Sequence, residues 1–386
     1  MIWEKVKLGD ICTKIGSGAT PKGGSAVYIE KGTTFIRSQN VYNLYFNYGG
    51  LVHINEDDAK KLDGVTIQEN DVLLNITGDS VARTCIVPSE LIPARVNQHV
   101  SIVRPDMNIL NPIFLNYYLA SPYMQSHMLG LAVGKGASRN AMTKDMIAAF
   151  EVPCPSMDIQ EKIIYILKPY DDLIKNNKQQ IKLLEEVAQR LYKEWFVDFQ
   201  FPGYEDVEIV DGVPTGWKKV PLTEIAPIVT GKKDANFGTK NGQYMFFTCA
   251  QEPIKAPSYS FDCDAVILAG NGDFNVKLFR GKFEAYQRTY VFSPFDTNKL
   301  YLLYYAVKDN MRQLFQGASG STIKFLTKRM LKEIMVLIPN KTTLDTFNNY
   351  CETYQKKTEV LKQQITVAKE SRDILLAKLM SGEVEV

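Results

Sequence analysis

The chain has 386 residues, of which 45% are hydrophobic, so it is long enough for two or three domains with cores of their own. Its net charge of +2 excludes a uniformly basic surface but allows local basic patches. The six cysteines form no CxxC pair and the three histidines lie far apart in sequence, which argues against a structural zinc site.

The N-terminal sequence does not resemble a signal peptide, and no apolar run has the length of a transmembrane helix. We therefore expect a protein of the reducing cytoplasm.

The first part of the chain, residues 1–156, is predicted to be a globular α+β region. Short strands are expected at residues 34–37, 71–76, 100–105 and 150–152, with a helix from Pro112 to Ser121. The segment Asn111-Pro112-Ile113-Phe114 is similar to the Asn-Pro-Pro-Phe/Tyr signature of adenine methyltransferases, but it lacks the second proline and an upstream glycine-rich cofactor loop. We interpret Asn111 as a helix cap and Pro112 as the first helical residue.

A long amphipathic helix follows, assigned to residues 157–200. Apolar residues recur there at steps of three and four from Ile159 to Trp195. A helix of roughly 40 residues spans about 60 Å. We expect Pro169 to kink or interrupt its first third, because proline removes a backbone hydrogen bond.

The second half of the chain has the same order of elements. Residues 201–215 contain the proline, glycine and acidic residues typical of a linker. Residues 216–339 are predicted to form a second globular α+β region, with strands expected at 264–268, 290–294 and 334–336 and a helix at 299–309. Residues 340–386 contain a second apolar stripe, from Leu344 to Leu379, and are assigned to a second long helix.

The two halves are an internal repeat. A shift of 184 positions places Lys178-Gln179-Gln180-Ile181 on Lys362-Gln363-Gln364-Ile365, and a shift of 214 places Trp3 on Trp217. We expect the long helices to pair as an antiparallel coiled coil whose register is fixed by Asn176, Asn177 and the two Lys-Gln-Gln stretches. Packing within a single bundle is the alternative.

Two glycine-rich loops, at residues 134–140 and 317–322, lack the Walker pattern. Glycine allows backbone N–H groups to approach phosphate, so contact with a DNA backbone stays open for these loops. The side chains that suit this role are Lys135, Ser138, Arg139, Ser321 and Thr322.

This organisation resembles the DNA-specificity subunit of type I restriction-modification systems, over essentially the whole chain. The segments that carry the resemblance are Trp3…Leu8, Gly18-Ala19-Thr20-Pro21, Pro153-Cys154-Pro155, Gln160-Glu161-Lys162-Ile163, Leu191…Phe199, Trp217…Leu222 and Leu375…Gly382. The second copy departs from the pattern, because Gly231-Lys232-Lys233 stands where the first copy has Gly18-Ala19-Thr20-Pro21.

The resemblance implies a non-catalytic protein with two target-recognition domains on an internal pseudo-two-fold frame. Each domain would read one half of a split, non-palindromic site in double-stranded DNA. The paired helices would act as a spacer and as a docking surface for two modification subunits, which carry the S-adenosylmethionine chemistry. A restriction subunit with translocase and nuclease activity would join them in defence against foreign DNA. No cofactor is expected on this chain.

Base recognition requires side chains that distinguish base edges, with Arg suited to guanine and Asn or Gln to adenine. Polar turns after the central strands provide such residues, and for each of them a structural role remains an alternative to DNA contact. The predicted DNA-binding residues are those of the two glycine-rich loops together with Thr20, Lys22, Arg37, Asn75, Thr77, Arg83, Asn97, Gln98, His99, Lys232, Lys233, Asn271, Asn275, Arg280, Gln287 and Arg288.

Two other functions remain alternatives. A coiled-coil adaptor would have no DNA specificity. A self-sufficient methyltransferase or nuclease would need a cofactor motif or metal cluster, and the sequence offers neither.

Overall fold

The protein is described by a computed structural model, which covers residues 3–133, 141–272, 274–318 and 324–386. It divides into two compact units. Unit 1 comprises Met1–Asn177 and Gln363–Val386, and unit 2 comprises Lys178–Lys362. The division falls within both long helices.

The secondary structure is mixed, with short strands and two very long helices. The strands are β1 (Lys5–Lys7), β2 (Cys12–Ser17), β3 (Thr33–Ile36), β4 (Val41–Tyr42), β5 (Tyr45–Phe46), β6 (Val52–Ile54), β7 (Val72–Asn75), β8 (Thr84–Ile86), β9 (Ala94–Val96), β10 (Val100–Pro105), β11 (Glu151–Pro153), β12 (Ile209–Val210), β13 (Val213–Pro214), β14 (Lys218–Pro221), β15 (Val229–Thr230), β16 (Tyr244–Phe247), β17 (Ile254–Ala256), β18 (Phe261–Ala269), β19 (Val276–Ala285), β20 (Thr289–Phe292) and β21 (Met335–Ile338). The helices are α1 (Leu8–Ile11), α2 (Glu56–Lys61), α3 (Pro112–Ala120), α4 (Pro122–Ala132), α5 (Lys144–Ala148), α6 (Met157–Phe196), α7 (Leu300–Asp309), α8 (Met311–Gly317), α9 (Lys328–Lys332) and α10 (Lys341–Ser381).

Unit 1 is built on a sheet of order β2-β10-β7-β8, next to a smaller sheet of order β6-β3-β9. The strand β1, which follows Trp3, pairs antiparallel with β11, which precedes the long helix. The side chain of Asn111 accepts a hydrogen bond from the N–H of Ile113, and Pro112 is the first residue of α3. The capping role predicted for this segment is therefore confirmed.

Unit 2 repeats this frame. Its main sheet has the order β15-β20-β18-β19-β16-β17. The first four of these strands correspond in order to β2, β10, β7 and β8 of unit 1. The strand β14, which follows Trp217, pairs antiparallel with β21. The buried Leu8 and Leu222 each donate a backbone hydrogen bond to the segment before the closing strand, at Phe150 and Ile334. The internal repeat predicted from sequence is thus a repeat of structure.

The predicted linker at residues 201–215 has structure of its own. It contains the β12–β13 hairpin, and Phe201 is 3% exposed with its ring 4.6 Å from that of Trp217. This aromatic contact packs the segment against the core of unit 2.

Both cores include residues from both long helices. In unit 1, Ile163 and Leu167 of α6 share one apolar cluster with Leu376 and Leu379 of α10. In unit 2, Phe196 of α6 lies edge-on to Phe347 of α10, with ring centroids 4.9 Å apart. Such aromatic pairs contribute about 0.5–1.5 kcal/mol beyond the area they bury. The helices therefore belong to the folded cores.

Within unit 1 the two helices run antiparallel, because Asn177 bonds Gln364 whereas Asp171, earlier in α6, bonds Arg372, later in α10. Asn177 is 2% exposed and donates from Nδ2 to Oε1 of Gln364 over 3.0 Å. A buried amide on an apolar seam disfavours shifted registers, since a shift leaves it without a partner. Asn177, one of the polar residues predicted to fix the register of the paired helices, is therefore buried between them.

The predicted interruption of the first long helix is wrong, because α6 is unbroken from Met157 to Phe196. Pro169 and the residue four positions earlier, Tyr165, are both exposed, so the carbonyl that loses its intrahelical donor faces solvent. On the other side of the helix, Ile163 and Leu167 are fully buried. Packing of that face holds the helix continuous.

No helix within the described part of the chain is both long enough and apolar enough to cross a membrane.

The contact among Tyr117, Asp171 and Arg372 ties α3, α6 and α10 together. Arg372 donates to Oδ1 of Asp171 over 2.6 Å, and the Tyr117 hydroxyl donates to Oδ2 over 2.5 Å. Burial and the charge of Asp171 raise the pKa of Tyr117 well above its usual range, so the hydroxyl stays a donor.

We predict that Arg372→Ala lowers the free energy of unfolding by about 1–3 kcal/mol, because it leaves the partly buried Asp171 carboxylate without its cation. Urea unfolding followed by circular dichroism measures the change. The matched control is Lys168→Ala, which removes an exposed ion pair with Asp172 on the same helix and should change stability little. Equal losses in the two variants would contradict the structural role of Arg372.

Candidate nucleic-acid interface

In unit 1, strands of the main sheet and of the smaller sheet end in polar loops that lie next to one another. Backbone hydrogen bonds join these ends, from Gly18 N to Val100 O (2.9 Å), from Ile76 N to His99 O (3.0 Å) and from Asn97 N to Ile36 O (3.0 Å). We call residues 18–22, 37–40, 77–83 and 97–99 the loop edge of unit 1.

Unit 2 has the same connections at equivalent positions. Gly231 N bonds Thr289 O (3.1 Å), Gly270 N bonds Arg288 O (2.9 Å) and Tyr286 N bonds Phe247 O (2.9 Å). Residues 231–234, 248–251, 271–272, 274–275 and 286–288 are the loop edge of unit 2. Comparison of the two hydrogen-bond patterns pairs Gln98 with Gln287 and His99 with Arg288.

A glycine begins each loop edge because the chain there passes directly over another strand. A Cβ at Gly18 would lie 2.0 Å from the carbonyl oxygen of Val96, and a Cβ at Gly231 would lie 1.9 Å from that of Ala285. Any side chain would therefore force the backbones apart. The sequences of the two copies differ after this glycine. In both, however, its close approach to the strand places the following residues beside the turn that contains Gln98 or Gln287.

On the loop edge of unit 1, four predicted residues lie close together. Thr77 Oγ1 is 2.6 Å from His99 Nδ1, and the Thr20 hydroxyl is hydrogen-bonded to Oε1 of the exposed Gln98. Lys22 is exposed at the end of the same loop. These residues offer donors and acceptors on one surface.

Two of the arginines predicted for unit 1, Arg37 and Arg83, are held against aromatic rings. Arg37 lies 5.3 Å from the ring centre of Tyr28 and donates to Gly50 O over 2.6 Å. Arg83 lies 4.5 Å from the ring centre of Tyr42. Stacking orders a guanidinium while leaving some of its donors for other partners. The aromatic partners were missed from sequence, since each is separated from its arginine by turns and strands.

Asn75 and Asn97 have structural roles that the sequence analysis did not separate from DNA contact. Asn75 is fully buried and donates from Nδ2 to Ser38 O over 2.8 Å. Asn97 is 7% exposed, and its side chain accepts from the N–H of His99. Their polar groups stabilise the loop edge from beneath, so we remove both from the set of base-contact candidates.

On the loop edge of unit 2, Gln287 and Arg288 are both exposed. Nε2 of Gln287 donates to Oδ1 of Asp234 over 2.8 Å. Asp234, an exposed acidic residue in a predicted DNA-binding loop, was not predicted as a site residue. No local sequence signal marks it, because its partner lies 53 residues further along the chain.

Three further predicted residues lie on the same loop edge. Lys232 is exposed, Lys233 has its ammonium group 4.4 Å from the ring centre of Phe237, and Asn271 is half-buried beside Phe325.

Arg280 lies within β19, away from the loop edge, and its guanidinium is held by acidic partners in unit 2, while its DNA contact stays a prediction. Its guanidinium donates to Glu352 of α10 over 3.0 Å and lies 3.5 Å from Asp264. Hydrogen bonds from Arg280 and Tyr301 lower the pKa of Glu352 and keep its carboxylate charged. The arginine therefore fastens the sheet of unit 2 to α10.

Asn275 also has a structural partner. Its Nδ2 donates to Cys249 O over 3.0 Å. Cys249 is equivalent to Ser38, whose carbonyl is bonded by Asn75 in unit 1. The same backbone carbonyl is thus satisfied by asparagines at different sequence positions, which gives Asn275 a structural role.

The predicted loop residues Lys135, Ser138, Arg139, Ser321 and Thr322 lie outside the described residues. Their DNA contacts stay predictions.

The described residues contain no group of three or more His, Cys, Asp or Glu side chains that could hold a metal ion. Burial raises the pKa of the Cys85 thiol to about 12, so this thiol stays protonated at neutral pH. The described side chains of the loop edges offer hydrogen-bonding groups and charges of both signs.

Comparison with known proteins identifies the family. The type I restriction modification DNA specificity domain matches the chain twice, at residues 2–186 and 214–368. These ranges cover most of the chain and correspond to its two copies. The chain therefore belongs to this family of specificity subunits, which are non-catalytic components of restriction-modification complexes. The resemblance inferred from the sequence motifs is confirmed.

Two relatives illustrate the match. The EcoDI specificity subunit of Escherichia coli is 37% identical over 179 residues, which is 45% of this chain and 39% of that subunit. The chain thus aligns with well under half the length of this relative. The MjaIX specificity subunit of Methanocaldococcus jannaschii is 24% identical over an alignment that covers 100% of this chain and 94% of that subunit.

The fold is also shared with a solved structure. The S subunit of a type I restriction-modification system from M. genitalium superposes with a TM-score of 0.54 at 15% identity, over 98% of this chain and 96% of that one. This likeness confirms the predicted class of fold, in which two α+β domains are combined with two long helices.

We predict that Gly18→Ala destabilises the protein by about 1–3 kcal/mol, because the added methyl group overlaps the Val96 carbonyl. Thermal and urea unfolding measure the loss. Gly16→Ala is the matched control, since a Cβ two residues earlier meets no atom within 4 Å. If Gly18→Ala were as stable as Gly16→Ala, the close approach would not constrain the loop edge.

Proposed function

We propose that this chain is the DNA-reading subunit of a type I restriction-modification complex and that each loop edge recognises one half of a split, non-palindromic site. The observation that carries the proposal is a shared frame with different side chains at equivalent positions. His99 in unit 1 corresponds to Arg288 in unit 2, and Thr77 corresponds to Asn271. One frame with two sets of donors and acceptors suits two different short sequences.

The residues of the two loop edges divide by chemistry into those suited to bases and those suited to the DNA backbone. Arg288, Gln287, Gln98 and His99 offer groups that can distinguish base edges in the major groove. The exposed Lys22 and Lys232 are point charges suited to phosphate, which positions the protein without reading sequence. The stacked Arg37 and Arg83 and the side chains of Thr20, Thr77, Lys233 and Asn271 complete the proposed interface.

The long helices are the proposed spacer. With 40 and 41 residues, each has a length of about 60 Å. Half-sites on one face of DNA that are one helical turn apart are separated by about 34–36 Å. A paired helical strut of this length is sufficient to fix such a separation. We accordingly propose recognition domains at residues 1–156 and 216–339, helices at 157–200 and 340–386, and a linker at 201–215.

The helices also expose apolar side chains to solvent. In unit 1, Tyr165 is 81% exposed on α6, and Val367 and Ile374 are 61% and 60% exposed on α10. In unit 2, Leu183 and Val187 are exposed one turn apart on α6. Several large apolar side chains exposed on otherwise polar helices are typical of a protein-binding face. We propose that two modification subunits dock there and carry the methyl-transfer chemistry, that restriction subunits join the complex, and that it acts in the cytoplasm.

Arg288→Ala tests base reading. If the guanidinium bonds a guanine in bidentate fashion, its loss should cost about 1–3 kcal/mol at one base position and leave the other half-site unchanged. Selection from a randomised duplex library by the complex with its modification subunit measures preference at every position. Arg190→Ala, which removes an exposed arginine of α6, is the control and should leave all base preferences intact. An equal loss of affinity for all sequences would mark Arg288 as a phosphate contact and contradict its reading role.

Val367→Asp tests docking. A charge at the centre of a desolvated apolar contact should weaken binding of the modification subunit by about tenfold or more, while the melting temperature of the free chain stays unchanged. Binding is measured by calorimetry or by co-purification at defined concentrations. Lys369→Asp changes the charge on an exposed polar position of the same helix and should have a smaller effect. Undiminished binding by the Val367→Asp variant would remove this face from the proposed docking surface.

A further inference from the structure

We propose that Asp234 is a positioning residue that fixes the side-chain amide of Gln287 so that it pairs with an adenine in the half-site read by unit 2. This inference rests on the proposed function, because it assumes that the loop edge of unit 2 faces the major groove. It assigns adenine as the base read by Gln287 and Asp234 as the residue that orients Gln287.

Gln287 is attached twice to the segment that follows Gly231. Its backbone N–H donates to Lys233 O over 2.9 Å, and its side-chain Nε2 donates to Oδ1 of Asp234 over 2.8 Å. Gly231 holds that segment against the strand, where a Cβ would overlap Ala285. The main chain and the side chain of an exposed glutamine are therefore both oriented by one ordered loop.

The chemistry of the carboxylate decides which way the amide points. An ionised carboxylate only accepts hydrogen bonds, so the nitrogen of the Gln287 amide must face Asp234 and the amide cannot reverse. One oxygen and one N–H group remain for another partner. Adenine presents an N6–H donor beside the N7 acceptor in the major groove, which matches this pair. Guanine presents two acceptors, O6 and N7, and leaves the amide oxygen of Gln287 facing another acceptor.

Unit 1 provides an internal comparison. The equivalent Gln98 is hydrogen-bonded to the hydroxyl of Thr20, which can either donate or accept. A hydroxyl therefore allows both orientations of the glutamine amide, whereas a carboxylate allows one. A carboxylate on a surface that binds phosphates is otherwise unfavourable for DNA affinity. The orienting role explains why an acidic residue stands beside Lys232 and Lys233.

The test is base preference measured by selection from a randomised duplex DNA library, with the full chain in complex with its modification subunit. Gln287→Ala should erase the preference at a single position, which is adenine in the wild-type motif. Asp234→Asn keeps the size of the side chain but can donate or accept, so the amide of Gln287 can reverse. At that same position, Asp234→Asn should lower the preference for adenine over the other bases severalfold, because a reversed amide matches neither the N6–H donor nor the N7 acceptor of adenine.

Two controls separate orientation from other effects. Glu224→Ala removes an exposed carboxylate from unit 2 outside the loop edge and should leave the motif unchanged. In the double variant Asp234→Asn/Gln287→Ala, the motif should match that of Gln287→Ala alone, because Asp234 acts through Gln287. All variants should keep the half-site of unit 1 and the wild-type melting temperature.

Three results would overturn the inference while leaving the proposed function intact. The first is an adenine preference retained in Asp234→Asn but lost in Gln287→Ala. The second is a further change of preference in the double variant, which would mean that Asp234 contacts a base itself. The third is a wild-type base other than adenine at the position that Gln287→Ala affects. Absence of any split motif from the wild-type complex would overturn the proposed function together with this inference.

Discussion

Both folded cores depend on the pairing of α6 with α10. In unit 1, the last residues of the chain complete a cluster that begins with Leu8, because Leu376 and Leu379 pack with Ile163 and Leu167. In unit 2, Phe347 is fully buried among aromatic residues of α6 and α7. Neither core is complete without both helices. This explains why the helices are ordered over their whole length despite many polar residues and an internal proline.

The side chains at the loop edges can vary without disturbing the cores. The backbone hydrogen bonds at the loop edges are the same in the two units, and the glycines Gly18 and Gly231 meet the same steric limit. The side chains on this frame differ. A change such as that from His99 to Arg288 alters hydrogen-bonding chemistry without altering the connections beneath it. A fixed frame with variable loops is how one fold serves many recognition functions.

The sequence predicted the architecture well, because long periodic patterns and an internal repeat are visible in the chain itself. The strand at 100–105 and both long helices lie close to their predicted bounds. The site was harder to predict. Asn75 and Arg280 have residue types suited to DNA, yet their side chains bond Ser38 and Glu352, which are distant in sequence. Asp234 was missed for the same reason, since its role appears only when the fold brings Gln287 beside it.

The most direct test of the account is a map of methylated bases in DNA from cells that express the chain together with its candidate modification subunit, compared with cells that express that subunit alone. The account predicts a split motif, with two short half-sites around a fixed run of unspecified bases, which appears only when both proteins are present. A soluble complex that co-purifies but produces no new methylated motif would contradict the role in reading DNA and favour an adaptor without DNA specificity.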